Sequence, residues 1–145
     1  MMQVVFDTSV LVAGMVEAHT QHDRALFWLK KAKAGEIGFL VCTHTLAELY
    51  AVLTRLPTRP KITAGTAARL IRDNVETPAT ITSLSTTDYR SVIKDLSERG
   101  ITGGSIYDAL IAKVAQKSAA DRLLTFNSGD FERVWPEGNE VIHVP

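Results

Sequence analysis

Four carboxylates stand beside strand ends or helix starts in this chain, Asp7, Glu48, Asp108 and Asp130, and acids so placed can meet in space although they are far apart in sequence. Asp7 follows the apolar run Val4-Val5-Phe6 and precedes Thr8-Ser9 and a second apolar run, Val10-Leu11-Val12. That pattern reads as strand, turn, helix and puts the carboxylate at the C-terminal end of a strand. In open α/β sheets, ligands bind outside that edge, where successive connections leave for opposite faces. Converging carboxylates need an offset: two of them ~5 Å apart at an effective dielectric of ~20 repel by roughly 3 kcal/mol. They must take up protons or bind a cation. No histidine lies near enough in sequence to suggest a zinc set, and an all-oxygen shell suits Mg2+ or Mn2+. Such an ion orients a phosphodiester, lowers the pKa of bound water and stabilises charge on phosphate oxygens. The substrate class implied is a phosphate ester.

Each acid also has a purely structural explanation. Glu48 stands three residues after Thr45, and Asp108 three after Ser105; both pairs match the capping box, in which a hydroxyl caps the helix and the acid reaches back to the cap's amide. Asp7 is a suitable cap for the helix behind it, as are Thr8 and Ser9. Asn127-Ser128-Gly129-Asp130 is a good turn sequence. The signal lies in the combination.

The elements that must position these acids follow from the apolar periodicity, which alternates between strand-like and helix-like runs and argues for an α/β fold around a mostly parallel sheet of about five strands. Strands are expected at 3–7, 38–41, 80–84, 122–126 and 140–144. Leu46, Leu49, Tyr50 and Leu53 line one face of a helix that must stop before Pro57. A second helix is expected from about Thr87 to Arg99, closed by Gly100. A third opens after Gly103-Gly104 and carries Ile106, Leu110 and Val114 as a stripe, with Ala109, Ala112 and Ala115 favouring helix and close packing. The more polar stretch from Arg55 to Arg72, with Pro57, Pro60 and Gly65, reads as a hinge leading into a helical hairpin.

At 145 residues, 46% apolar and 22% charged, with no repeat or low-complexity tract, the chain is expected to form one domain over 1–145 with an ordinary core. Cys42 has no partner for an intramolecular disulfide and reads as a buried thiol. No run is long enough for a membrane span and the N-terminus has no signal-peptide pattern, so no membrane association and a cytoplasmic setting are expected. Sixteen basic residues balance sixteen acidic ones, so the whole molecule is no electrostatic trap for a polyanion. Arg55, Arg59, Lys61, Arg69 and Arg72 form the local patch that could meet phosphates, or simply a solvated face. His19, His22, His44 and His143 read as surface or locally bonded residues, and Trp28, Phe131 and Trp135 as core or interface.

Taken in order, Val4-Val5-Phe6-Asp7-Thr8-Ser9, Thr45-Leu46-Ala47-Glu48-Leu49, Gly103-Gly104-Ser105-Ile106-Tyr107-Asp108-Ala109 and Leu124-Thr125-Phe126-Asn127-Ser128-Gly129-Asp130-Phe131 resemble the successive motifs of the PIN-domain ribonucleases, and in particular the VapC-type toxins of toxin–antitoxin pairs. The resemblance implies an α/β/α sandwich, Mg2+- or Mn2+-dependent endonucleolytic cleavage of RNA, a homodimer and a protein antitoxin. It makes Asp7, Glu48 and Asp108 the metal-binding triad, supported by Thr8 and Thr125. In the last motif, the position that is often acidic in relatives is Asn127, so the fourth ligand is either Asp130 or the Asn127 amide oxygen. Two rivals remain. A phosphatase using Asp7 as nucleophile would usually carry a second aspartate where this chain has Ser9. A non-catalytic module would bind RNA or protein on the same fold, with the acids only capping helices.

Overall fold

The computed structural model describes residues 1–145. Five strands form one sheet: β1 (Gln3–Phe6), β2 (Gly38–Cys42), β3 (Thr80–Thr82), β4 (Arg122–Leu124) and β5 (Ile142–His143). Their order is β3-β2-β1-β4-β5 and every pairing is parallel, a stricter arrangement than the mostly parallel sheet expected. Helices fill the crossovers: α1 (Thr8–Met15), α2 (His22–Lys33), α3 (Thr43–Arg55), α4 (Ala64–Ile71), α5 (Thr86–Glu98), α6 (Ser105–Lys117) and α7 (Ser128–Val134). All five expected strands are present; β3, β4 and β5 are shorter than their apolar runs, because pairing stops where the neighbouring strand ends.

Alternation along the strands divides the core. Val4, Phe6, Phe39, Val41 and Leu124 face a layer built from α1 to α4, while Val5, Leu40, Cys42, Leu123 and Ile142 face α5, α6 and α7. Period-two side-chain direction in a sheet covered on both faces gives this α/β/α sandwich. α1 and α2 pack closely at Gly14, where an added Cβ would come within 3.0 Å of Leu29 Cδ2. α5 ends at Glu98 with Arg99 as its C-cap, and Gly100 follows with a φ of +67°, the left-handed conformation that closes a helix cheaply only with glycine. α3 ends at Arg55, two residues ahead of Pro57, as its sequence requires. Beyond the hinge, Thr63 caps α4 by accepting the Thr66 amide, and a π-helical turn, Arg72–Glu76, follows.

Strand order locates the functional edge. From β1 the chain moves outward through β2 to β3, then returns to the other side of β1 as β4 and continues to β5. The switch in direction falls between β1 and β4, whose C-terminal ends adjoin: the Asp7 amide donates to the Leu124 carbonyl at 3.0 Å.

Candidate active site

Asp7 leaves β1 at that switch point and is 4% exposed. It occupies the N-cap position of α1, yet its side chain makes no capping hydrogen bond. Its Oδ2 instead accepts from the Ser9 hydroxyl at 2.6 Å and the Thr125 hydroxyl at 2.8 Å. Both donors are themselves fixed. Ser9 Oγ accepts the Phe126 amide at 3.1 Å, and Thr125 Oγ1 accepts the Asn127 amide at 2.9 Å. The turns after β1 and β4 thus grip one carboxylate oxygen between them. Burial pushes the Asp7 pKa up despite these hydroxyls and the nearby Thr8 and Ser9 amides, so desolvation outweighs the hydrogen bonds.

Glu48 comes from α3, in the same helical layer as α1. In α3, Leu49 and Leu53 are buried in the core, which turns His44, Glu48 and Val52, spaced four apart, along a neighbouring face. Asp108 sits in the first turn of α6, where buried Ala109 and Ala112 let the helix lie close to its neighbours. Asp7, Thr8, Ser9, Val12, His19, Glu48, Val52, Asp108, Phe126 and Asn127 line one cavity of about 450 Å3. No lysine or arginine is among them. Burial, then Asp7 and Asp108, pushes Glu48 to about 7; burial, then Asp7 and Asp130, pushes Asp108 to about 7. Such a pair of groups, raised by desolvation and by like charges in a cleft, is the electrostatic signature of a functional site.

Neither capping box drawn from the sequence forms at these acids. α3 begins at Thr43, so Thr45 and Glu48 both lie inside the helix, and α6 is capped by Gly104 rather than Ser105. Relieved of capping duty, Glu48 keeps a buried Oε1 with no hydrogen-bond partner, and Thr8 Oγ1 and Thr45 Oγ1 are likewise unpaired. Asp130 is exposed in the first turn of α7 and does not line the cavity; it acts on Asp108 through its charge, while Asn127 lines the wall. Thr125 is fully buried and Thr8 is 7% exposed.

Three contributors were not singled out from the sequence. Ser9 is the second hydroxyl on Asp7, His19 lines the cavity, and His44 stands one turn before Glu48, its Nε2 3.5 Å from Glu48 Oε1 without hydrogen-bond geometry. The local signal for His44 was its i, i+4 spacing to Glu48. Ser9 offered only its place in the turn, and nothing local marked His19. His22, by contrast, is a locally bonded histidine, its Nδ1 2.8 Å from the Ala13 carbonyl oxygen. Phe131 is core, while Trp28 and Trp135 are partly buried against the two core layers.

As the side chains stand, no three acids or histidines are close enough together to grip one ion. The donor set nevertheless fits a hard cation: the carboxylate and hydroxyl oxygens are partly unpaired, and Mg2+ characteristically keeps several waters and takes only one or two carboxylates directly. A family model described as PIN domain matches residues 4–135. The chain belongs to the PIN-domain family.

Among curated proteins, this PIN domain is similar to Ribonuclease VapC27 of Mycobacterium tuberculosis, with 36% identity over 115 residues, 79% of this chain and 78% of that one. It is therefore a VapC-type member. Its fold is shared by the solved structure of Mycobacterium tuberculosis VapC20, described as a sarcin-ricin loop cleaving toxin, with a TM-score of 0.72, 18% identity and coverage of 92% of this chain and 95% of that one. VapBC2 from Rickettsia felis, solved bound to a DNA fragment from its promoter, gives a TM-score of 0.64 at 19% identity, with 99% of each chain covered. No helix of the PIN domain is long and apolar enough to cross a membrane.

Proposed function

We propose that this protein is a divalent-metal-dependent endoribonuclease, the toxin of a toxin–antitoxin pair, that hydrolyses RNA phosphodiester bonds in the cavity lined by Asp7, Glu48 and Asp108. The observation that carries this reading is the meeting of three carboxylates from β1, α3 and α6 in one cavity at the switch point, two of them raised to about 7. The VapC27 relative, a ribonuclease by name, supports the substrate class.

Asp7, Glu48 and Asp108 would hold Mg2+ or Mn2+, with Asn127 offering its amide oxygen from the wall and Asp130 adding charge from outside. The ion, when bound, supplies a lowered pKa for water and stabilisation of charge on phosphate oxygens. The chain's own part is positional. Ser9 and Thr125 hold Oδ2 of Asp7, which fixes the carboxylate's rotation, and Thr125 ties the β4 turn to the same atom. Thr8 lines the wall with a free hydroxyl. Burial first, and then the neighbouring carboxylates, keep Glu48 and Asp108 partly protonated at neutral pH, and a bound cation would offset both effects. A protein antitoxin as regulator, a homodimer as assembly and the cytoplasm as setting belong to the same reading by analogy with the VapC family.

Purified protein incubated with a mixed RNA pool tests the proposal. Cleavage should require Mg2+ or Mn2+ and be abolished by chelator and by Asp7→Asn or Asp108→Asn prepared identically, with both variants folded. Sequencing the new ends would locate the target. Equal inactivity of wild type and variants on every RNA tried would favour a binding module, whose affinity would survive these substitutions and whose melting temperature would not respond to metal.

A further inference from the structure

Tyr107 immediately precedes Asp108 in the first turn of α6 and is 46% exposed. Its ring lies nearly parallel to that of His44, with centroids 4.6 Å apart and planes 12° apart. His44 is one helical turn from Glu48, so the stacked pair bridges α3 and α6 beside two of the three site carboxylates. His44 covers one face of Tyr107, and the residue nonetheless keeps nearly half of its surface exposed.

We propose that Tyr107, backed by His44, is a stacking platform for an RNA base flanking the scissile phosphate. The proposal rests on the endoribonuclease reading of the same site. The cavity walls carry four carboxyl-free polar side chains and three acids but no lysine or arginine, so they offer a polyanion no attractive charge of their own. At the cavity itself, part of the binding energy must then come from contacts that do not depend on phosphate charge. Base stacking on an aromatic side chain is such a contact: it tolerates any sequence, because every base has a π-face, and it is a recurrent means of gripping single-stranded RNA. A ring already immobilised against His44 loses little freedom when the base arrives, which is what preorganisation contributes to affinity.

The test uses single-stranded RNA oligonucleotides of random sequence carrying 2-aminopurine at one position, bound to the Asp7→Asn protein with Mg2+ so that the RNA stays intact. Stacking should quench the fluorescence at positions near the bound phosphate. In that background Tyr107→Ala should abolish the quench and weaken binding about ten-fold, and Tyr107→Phe should recover both. In the active protein, Tyr107→Ala should raise KM more than it lowers kcat, with circular dichroism and melting temperature confirming that the fold is retained. Quenching and affinity that survive Tyr107→Ala would overturn the platform. So would a Tyr107→Phe variant as weak as Tyr107→Ala, since that result assigns the effect to the hydroxyl. The endoribonuclease reading stands or falls separately, on metal-dependent cleavage by the protein with Tyr107 intact.

Discussion

At the scale of single residues, the site acids are held in a conformation that costs the metal-free protein stability. Glu48 and Asp108 have pKa values near 7 against ordinary values of 4.5 and 3.8, raised first by burial and then by neighbouring carboxylates. Between about pH 4 and pH 7 the folded protein therefore holds more protons than the unfolded chain, and linkage makes stability fall as pH rises through that window. Metal-free protein should melt at a higher temperature at pH 5 than at pH 8. Mg2+ should raise the melting temperature more at pH 8, where the carboxylates are ionised, than at pH 5. Asp108→Asn, which removes one charge without changing the side chain's size, should stabilise metal-free protein at pH 8 and do so less at pH 5. Differential scanning fluorimetry in chelator and in Mg2+ measures all three. A metal-free melting temperature that does not change from pH 5 to pH 8 would mean that burial and neighbouring charge do not raise these acids as described. Asp7 differs from this pair in that two hydroxyls hold its Oδ2, although burial raises its pKa as well.

At the scale of elements, the chain distinguishes acids that build helices from acids that the helices present. The capping box lies at α5, where Ser85 accepts the Asp88 amide and Asp88 in turn accepts the Ser85 amide. Asp88 also receives Lys117 from α6 at 2.6 Å, and chiefly for that reason its pKa falls to about 2, opposite in direction to the site acids. Ser85→Ala should cost about 1 kcal/mol of stability, measured by urea unfolding, while metal-dependent cleavage is retained because α5 contributes nothing to the cavity wall. Loss of cleavage with stability intact would contradict that division. Strand and helix order was legible in the sequence because Val4-Val5-Phe6, Phe39-Leu40-Val41 and Leu123-Leu124 are short apolar runs between helical stripes, and the stops at Pro57 and Gly100 are local chemistry. Which acids cap was not legible. Thr45–Glu48 and Ser105–Asp108 satisfy the same spacing as Ser85–Asp88, and the register of each helix start is decided by packing of Leu49, Leu53, Ala109 and Ala112 rather than by the motif. The His44–Tyr107 stack was hidden because it joins segments that only the folded sheet brings together, whereas Ser9, two residues from Asp7, was in view as a cap and not as a donor to that carboxylate.

At the scale of the whole molecule, the charges cancel, yet they are not spread evenly. From Arg55 to Arg72 the chain carries Arg55, Arg59, Lys61, Arg69 and Arg72 and no acid, all five exposed, on the stretch that leaves α3 two turns beyond Glu48. Arg72 is partly occupied by Asp73 at 3.1 Å and Arg69 by Thr66 at 3.2 Å, whereas Arg55, Arg59 and Lys61 form no ion pair. With an acidic cavity at one end and this cationic segment at the other, an RNA held at its scissile phosphate would run its flanking phosphates along the hinge. Each phosphate that a basic side chain neutralises releases counterions, and for single strands the slope of log affinity against log salt steepens by about 0.7 per contact. Replacing Arg55, Arg59 and Lys61 together by Gln should therefore flatten that slope by about 2 and weaken binding alike for every RNA sequence, read by fluorescence anisotropy of a labelled single strand between 50 and 200 mM KCl. The stacking contribution at Tyr107 carries no charge and should persist as salt rises, so the two halves of the surface separate in one titration. An unaltered salt slope in the triple variant would return these three residues to the role of a solvated face.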